Sequence, residues 1–307
     1  MSSTKFQAIM LSKRANIFYL EHTKVIQQED KVVFLKENKG KEESYNIPDK
    51  NTVFLFLGQG TSITNSAIRK LAESNVVVGF CGSGGTPPSS IMDYVFLSPQ
   101  DEYRPTEYMQ EWVRIWFNTE EQLKTAKRFL LKRSEWTKEI SPALNTQHKF
   151  KTGIEASKTI KELLGYEGDY AKNLYAEMAN RFNITNFSRA QGEGKTDSKV
   201  ELVNSYLDHG NYLAYGYAAA ILHTLGISYA FPILHGKTRK GGLIFDVADL
   251  FKDSLVLPCA FESASKALNQ REFRGIIIDQ ANKTKVLDRT FEFLTSLCGK
   301  TALTTDL

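Results

Sequence analysis

Cysteine is scarce: the 307-residue chain has three, Cys81, Cys259 and Cys298, far apart and without a C-x-x-C pair. That argues against a cysteine-rich zinc site and suits reduced thiols in a reducing compartment. No apolar stretch approaches the ~20 residues of a membrane span. The longest apolar window, Tyr212 to Leu225, is interrupted by Gly216 and His223 and reads as a buried helix. The first residues hold no apolar run of leader type, so no membrane association is expected. There is no G-x-S-x-G elbow, no Walker loop and no H-E-x-x-H helix, which removes the motif-based readings for serine hydrolases, P-loop enzymes and zinc proteases. Gly58-Gln59-Gly60 is too short for a dinucleotide fingerprint and reads as a turn. Charge of one sign is also in short supply. The formal net charge of +4 permits a nucleic-acid partner without requiring one, because binding depends on where the charges sit.

What is present divides at about residue 102. Hydrophobic residues make up 42% of the chain, enough for the cores of two ordinary domains. Short β-branched or aromatic runs at Phe6–Leu11, Asn16–Leu20, Lys24–Gln27 and Lys31–Leu35 are spaced like a meander of hairpins. Ser44–Ile47 and Val53–Leu57 follow. A helix capped by Thr61 or Ser62 carries Ile63, Ala67, Ile68 and Leu71 at helical spacing and ends at Asn75. Val76–Phe80 returns as a strand able to pair in parallel with Val53–Leu57. The glycine- and proline-rich segment 82–90 is a loop or linker, and Met92–Leu97 is a last short strand.

From Thr106 the period becomes helical, first through Tyr108, Trp112, Ile115 and Trp116. It continues through Leu123, Ala126, Phe129 and Leu130, then Ile160, Leu163 and Leu164. Further helices are expected over Asp169–Phe182, Lys199–Leu225, Asp246–Val256, Glu262–Gln270 and Leu287–Leu297. The expected fold class is α+β. A β-rich domain over 1–102 precedes an all-α domain over 103–300, with a tail at 301–307.

Four places can carry chemistry. Gly165-Tyr166-Glu167-Gly168-Asp169-Tyr170 puts two carboxylates near an expected helix start, where capping is the ordinary role. Glu167 precedes a glycine that can turn the backbone and aim the side chain. Leu234-His235-Gly236-Lys237-Thr238-Arg239-Lys240-Gly241-Gly242 is a basic glycine loop with one histidine, able to approach phosphates or to be a solvated turn. Asp246 and Asp249 lie three apart on one helix face among apolar neighbours, where burial demands a partner such as a cation; an N-cap role suits Asp246 better than Asp249. Lys124, Lys127, Arg128, Lys132 and Arg133 form a basic stretch. With Arg114, Arg189, Lys195 and Lys199 they could track phosphates, although a solvated helix face is the usual reading. Together these segments suggest one histidine and two or three carboxylates beside a basic loop. That oxygen-rich set suits Mg²⁺ or Mn²⁺ better than zinc.

At these residues the sequence resembles the CRISPR-associated spacer integrase family, over roughly Lys5 to Leu297. Three blocks in order carry the resemblance. They are Ile47-Pro48 with Val53–Gly60 and Thr61–Phe80, then Gly165-Tyr166-Glu167-Gly168 with Tyr175, then Leu234–Arg239 with Phe245–Asp249. The runs LHGKTRKGGLIFDVADL and LDHGNYLAYG look most like the subtype I-F branch. The resemblance implies a β-sandwich-like N-terminal domain, a helical catalytic domain, homodimerisation and a cytoplasmic location in a prokaryote. It implies Mg²⁺ or Mn²⁺ held by Glu167, His235 and Asp249, with Asp246 as a supporting acid. From the basic stretch and the basic loop themselves, the expected DNA contacts are Arg114, Lys127, Arg128, Arg189, Lys237, Arg239 and Lys240. The activity implied is attack by the 3′-hydroxyl of a short DNA duplex on a phosphodiester of a repeat array. The implied partner is a second adaptation subunit fused to a nuclease–helicase. Lys172 stands where many members have arginine, and the family asparagine matches Asn204 or Asn211. The rival readings are a non-catalytic DNA-binding scaffold and a purely hydrolytic nuclease on branched DNA.

Overall fold

Short apolar runs build two four-stranded sheets in the N-terminal unit, Met1–Arg104. The computed structural model describes residues 16–38, 41–82, 95–97, 106–139, 146–190, 198–236 and 241–299. In the first sheet, β1 (Asn16–Leu20) pairs in parallel with β5 (Thr52–Leu57), and β5 with β7 (Val77–Phe80). The short β8 (Val95–Leu97) adds to β7 antiparallel. Phe54, Leu55, Phe56 and Leu57 are all buried, the continuous apolar run expected of a central parallel strand.

The second sheet is a meander of β2 (Lys24–Gln28), β3 (Lys31–Asn38) and β4 (Lys41–Ile47), closed on its other side by the two-residue β6 (Ser62–Ile63). Cross-strand pairing brings Val25 opposite Phe34 and Val32 opposite Ile47. The core joins both sheets to α1 (Asn65–Glu73) through Leu20, Val25, Val32, Ile47, Leu55, Ala67 and Leu71.

Two expectations change here. β1 leaves the hairpin meander for a parallel partner more than thirty residues downstream, a pairing that local spacing does not encode. Thr61 and Ser62 do not cap α1. Ser62 and Ile63 are drawn into pairing with β2, so the helix starts later and Thr64 accepts the capping bond from Ala67 N. Asn75 does end the turn, with φ +56.

In the second unit, Pro105–Leu307, every regular element among the described residues is a helix. Its elements are α2 (Thr106–Phe117), α3 (Thr119–Lys138), α4 (Thr146–Ala156), α5 (Ile160–Arg181) and α6 (Lys199–Thr224). They continue with α7 (Gly242–Asp249), α8 (Lys252–Ser265), α9 (Gln270–Lys283) and α10 (Val286–Leu297). Side-chain caps at Asn118 and Thr159, and capping boxes at Ser198–Glu201 and Asn269–Glu272, fix four starts. Gly210 of α6 lets α8 approach, because a Cβ there would strike Val256. Among the described residues no helix is long and apolar enough to cross a membrane.

Three helix expectations are corrected. The helix expected from Asp169 begins at Ile160, because Thr159 supplies the cap and both Gly165 and Gly168 are accommodated inside it. The helix expected over Asp246–Val256 is two helices, broken between Asp249 and Lys252. The helix expected over Glu262–Gln270 is the end of α8: Ala267 adopts φ +52, and Asn269 caps α9.

Candidate metal centre

The helical period of α3 places Arg133 on the face that buries Ala126, Phe129, Leu130 and Thr137. The residue is only 2% exposed. A buried charge is costly unless paired, and this one meets three carboxylates. Nη1 lies 2.5 Å from Oε1 of Glu167 and 3.9 Å from Oδ2 of Asp249, and Nε donates to Oδ2 of Asp253 at 2.6 Å. Glu167 comes from mid-α5, Asp249 from the end of α7 and Asp253 from the first turn of α8. The break between α7 and α8 puts Lys252 there as well, in ion-pair contact with Oδ1 of Asp249. That oxygen makes no aligned hydrogen bond. The ion pair is the interaction that counts, because attraction between buried charges tolerates poor alignment.

Asp246 is 1% exposed and holds the strap that carries His235. Its Oδ2 accepts from the amides of Ile233 (2.5 Å) and Leu234 (3.0 Å). Its Oδ1 accepts from the amide of His235 at 3.1 Å and lies 2.5 Å from His235 Nδ1. It does not cap α7, because Gly241 in the left-handed region precedes that helix. The strap passes close to α7. A Cβ on Gly242 would sit 2.9 Å from Pro232 Cβ and 3.2 Å from His235 O. With Nδ1–H donating to Asp246, the Nε2 lone pair of His235 remains for a cation.

Electrostatics tie the segments together. Burial alone would lower the His235 pKa, but the hydrogen bond to Asp246 and the charges of Asp246, Asp249 and Glu167 outweigh it and raise the value. Burial raises Asp246, with His235 and the strap amides opposing. Burial also acts on Asp249, but Lys252, Arg133 and His235 hold its carboxyl below the ordinary range. With His235 neutral, the four carboxylates Glu167, Asp246, Asp249 and Asp253 face two permanent cations, Arg133 and Lys252, leaving two negative charges. That charge and the oxygen-plus-imidazole donor set fit one divalent Mg²⁺ or Mn²⁺. The carboxylates are turned onto Arg133 and Lys252. Among the described residues no group of three or more His, Cys, Asp or Glu stands ready to hold an ion.

Arg133 therefore belongs to the acidic cluster rather than to a basic surface. Its place on the apolar stripe of α3 was the available sign. Lys252 and Asp253 were missed because the helix break after Asp249 left no periodic signal. Other basic residues are engaged locally. Arg114 pairs with Glu111, Lys127 donates to Glu155 O at 2.9 Å, and Arg128 reaches Ser296 Oγ at 3.4 Å. Lys124 pairs with Glu120 and Glu121, and Lys132 with Glu135. Arg189 pairs with Asp208 and donates to Asn204 Oδ1. Asn204 in turn donates to Ser188 O and Val200 O, tying that segment to α6. Lys195, Lys237, Arg239 and Lys240 lie outside the described residues.

A strand-rich unit followed by a helical unit that buries a carboxylate–arginine–histidine cluster defines the class. The family model described as CRISPR associated protein Cas1 matches residues 17–289. The chain is 38% identical to the CRISPR-associated endonuclease Cas1 of Pectobacterium atrosepticum, over 97% of each chain. It is also 38% identical to that of Pseudomonas aeruginosa, over 99% of this chain and 98% of the relative. The chain belongs to the Cas1 family of CRISPR-associated proteins. Its fold is that of the solved TtCas1–DNA complex, with TM-score 0.70, 23% identity and 95% of each chain covered. A casposase bound to integration product shares the fold with TM-score 0.68, 16% identity, and 94% of this chain and 92% of that one covered.

Proposed function

We propose that this protein is a divalent-cation-dependent DNA integrase and endonuclease of CRISPR adaptation, of the subtype I-F branch. Glu167, His235 and Asp249 hold Mg²⁺ or Mn²⁺, with Asp246 supporting His235. The observation that carries this reading is the convergence of α5, the His235 strap and the α7–α8 junction on one buried, net-negative cluster. Bound there, such an ion supplies Lewis acidity toward a phosphodiester and makes a hydroxyl a better nucleophile. The chain's own part is positional. Glu167 and Asp249 offer carboxylate oxygens, and Asp246 orients the imidazole through Nδ1. In strand transfer a 3′-oxygen forms a new P–O bond as the old P–O3′ bond breaks. One phosphodiester replaces another, and the attacking hydroxyl's proton is exchanged for one on the departing 3′-oxygen.

Double-stranded DNA, as a spacer fragment and a repeat array, is the proposed substrate. Phosphate contacts fall to Arg114, Lys127, Arg128, Arg189, Lys237, Arg239 and Lys240, and phosphate contacts supply most of the affinity. A homodimer and a second adaptation subunit fused to a nuclease–helicase complete the proposed assembly, in the cytoplasm of a prokaryote. The Cas1 name of the relatives and the integration-product complex of the casposase support the reaction class.

The test takes Glu167→Ala, His235→Ala and Asp249→Ala through melting, DNA affinity and integration with a 3′-hydroxyl donor in Mn²⁺. Folded, DNA-binding variants with no joined product are expected. Active variants whose only change is a lower melting temperature would return the three residues to structural roles. Light scattering of the same preparations reports the dimer.

A further inference from the structure

The strap carrying His235 has no regular secondary structure, so its backbone groups need partners from elsewhere. Asp246 takes its amides at Ile233, Leu234 and His235. The opposite edge of the strap is held from α2 and α3. Trp112 Nε1 donates to Phe231 O at 3.0 Å, and Trp116 Nε1 donates to Pro232 O at 3.0 Å. Gln122 Nε2 lies 3.4 Å from both Pro232 O and Ile233 O. Residues 112 and 116 stand four apart, so one helix face presents both indole N–H groups to consecutive carbonyls.

Packing alone does not call for tryptophan at these places. Trp112 packs edge-on against Phe129, and Trp116 against Phe231. Phenylalanine could make the same kind of ring contact, so the indole N–H is the distinctive feature. Asp246 grips the amides and His235 Nδ1 from one side, which leaves the carbonyl side of the strap free to move. Donors fixed on a helix at the carbonyl edge remove that freedom.

We propose that Trp112 and Trp116 are positioning residues for His235. They act through the carbonyls of Phe231 and Pro232 to fix the imidazole orientation that Asp246 alone leaves underdetermined. The consequence for cation binding rests on the reading of His235 as a ligand; the positioning itself does not.

The experiment uses the full chain with ¹³C-labelled histidine. The His235 ring signal is assigned by its loss in His235→Ala. Trp112→Phe, Trp116→Phe and the double variant keep the rings and remove the donors. Trp136→Phe, on α3 under Arg289, controls for loss of an unrelated indole. In chelator, the double variant is expected to shift or split the His235 signal while the control leaves it in place. Mn²⁺ titration followed by electron paramagnetic resonance is expected to show affinity weakened about 10-fold, the lower end for loss of a group that orients a ligand. A single unshifted His235 signal overturns the proposal, whereas a shifted signal with unchanged Mn²⁺ affinity upholds the positioning and overturns only its consequence for cation binding. If the unaltered protein binds no Mn²⁺, the metal reading fails while the histidine signal still decides the positioning. If the double variant does not fold, Trp116→Phe decides by the same signal.

Discussion

Arg133 is a cation placed by the chain itself among acids that a metal ion would share. Its ion pairs with Glu167, Asp249 and Asp253 let three buried carboxylates coexist when no other cation is bound. Removing one partner of such a network leaves uncompensated charge, typically at a cost of ~3–5 kcal/mol. Arg133→Met is therefore expected to lower the melting temperature sharply in chelator. Millimolar Mn²⁺ should recover part of the loss, because the ion takes over the neutralising role. Equal melting temperatures for the two proteins in chelator, or no recovery with Mn²⁺, would remove Arg133 from the electrostatic account. Arg133 also marks where sequence reading stops. It reads as one of five basic residues in a stretch, and only its phase against Phe129 and Leu130 separates it from its solvated neighbours.

At the scale of the helix, α5 holds two glycines that nothing in the packing requires. A Cβ at Gly165 or Gly168 meets no atom within 4 Å, and both sit inside a regular helix where glycine costs about 0.5–1 kcal/mol relative to alanine. Gly165→Ala and Gly168→Ala should each stabilise by about that amount in denaturant unfolding. Gly210→Ala should do the opposite, because its Cβ would run into Val256. A loss of stability in either α5 variant would show that the helix is less regular there than described.

The same helix shows what was legible. Apolar spacing at Ile160, Leu163 and Leu164 marks its beginning, but the glycines suggest a turn, so Glu167 looks like a residue at a helix start. It projects from the middle instead, where α5 meets Arg133. The long α6, α10 and the strand–helix–strand unit were readable because their apolar periodicity runs through each element. The helix of 146–156 and the break after Asp249 were not. In the first the apolar stripe is short, and in the second it continues across the break.

For the molecule as a whole, the described thiols give a test that spans both units. Cys81, Cys259 and Cys298 are all buried, and burial pushes each pKa up to about 12. A raised thiol pKa means that the fold favours the protonated form, so this contribution is complete at neutral pH and is lost as pH climbs toward 12. Native protein at pH 8 is expected to react with a thiol reagent only as fast as it opens, and all three thiols should react at once in denaturant. Prompt reaction of one thiol under native conditions would show that its surroundings are open. The order of the chain also bears on its synthesis. Arg133, Glu167, His235, Asp249 and Asp253 leave the ribosome over a span of more than a hundred residues, and the last acid lies in the first turn of α8. A chain that is stalled or cut before that helix can fold its two sheets, yet it lacks the full set of acids. Unfinished copies therefore lack one of the carboxylates that neutralise Arg133.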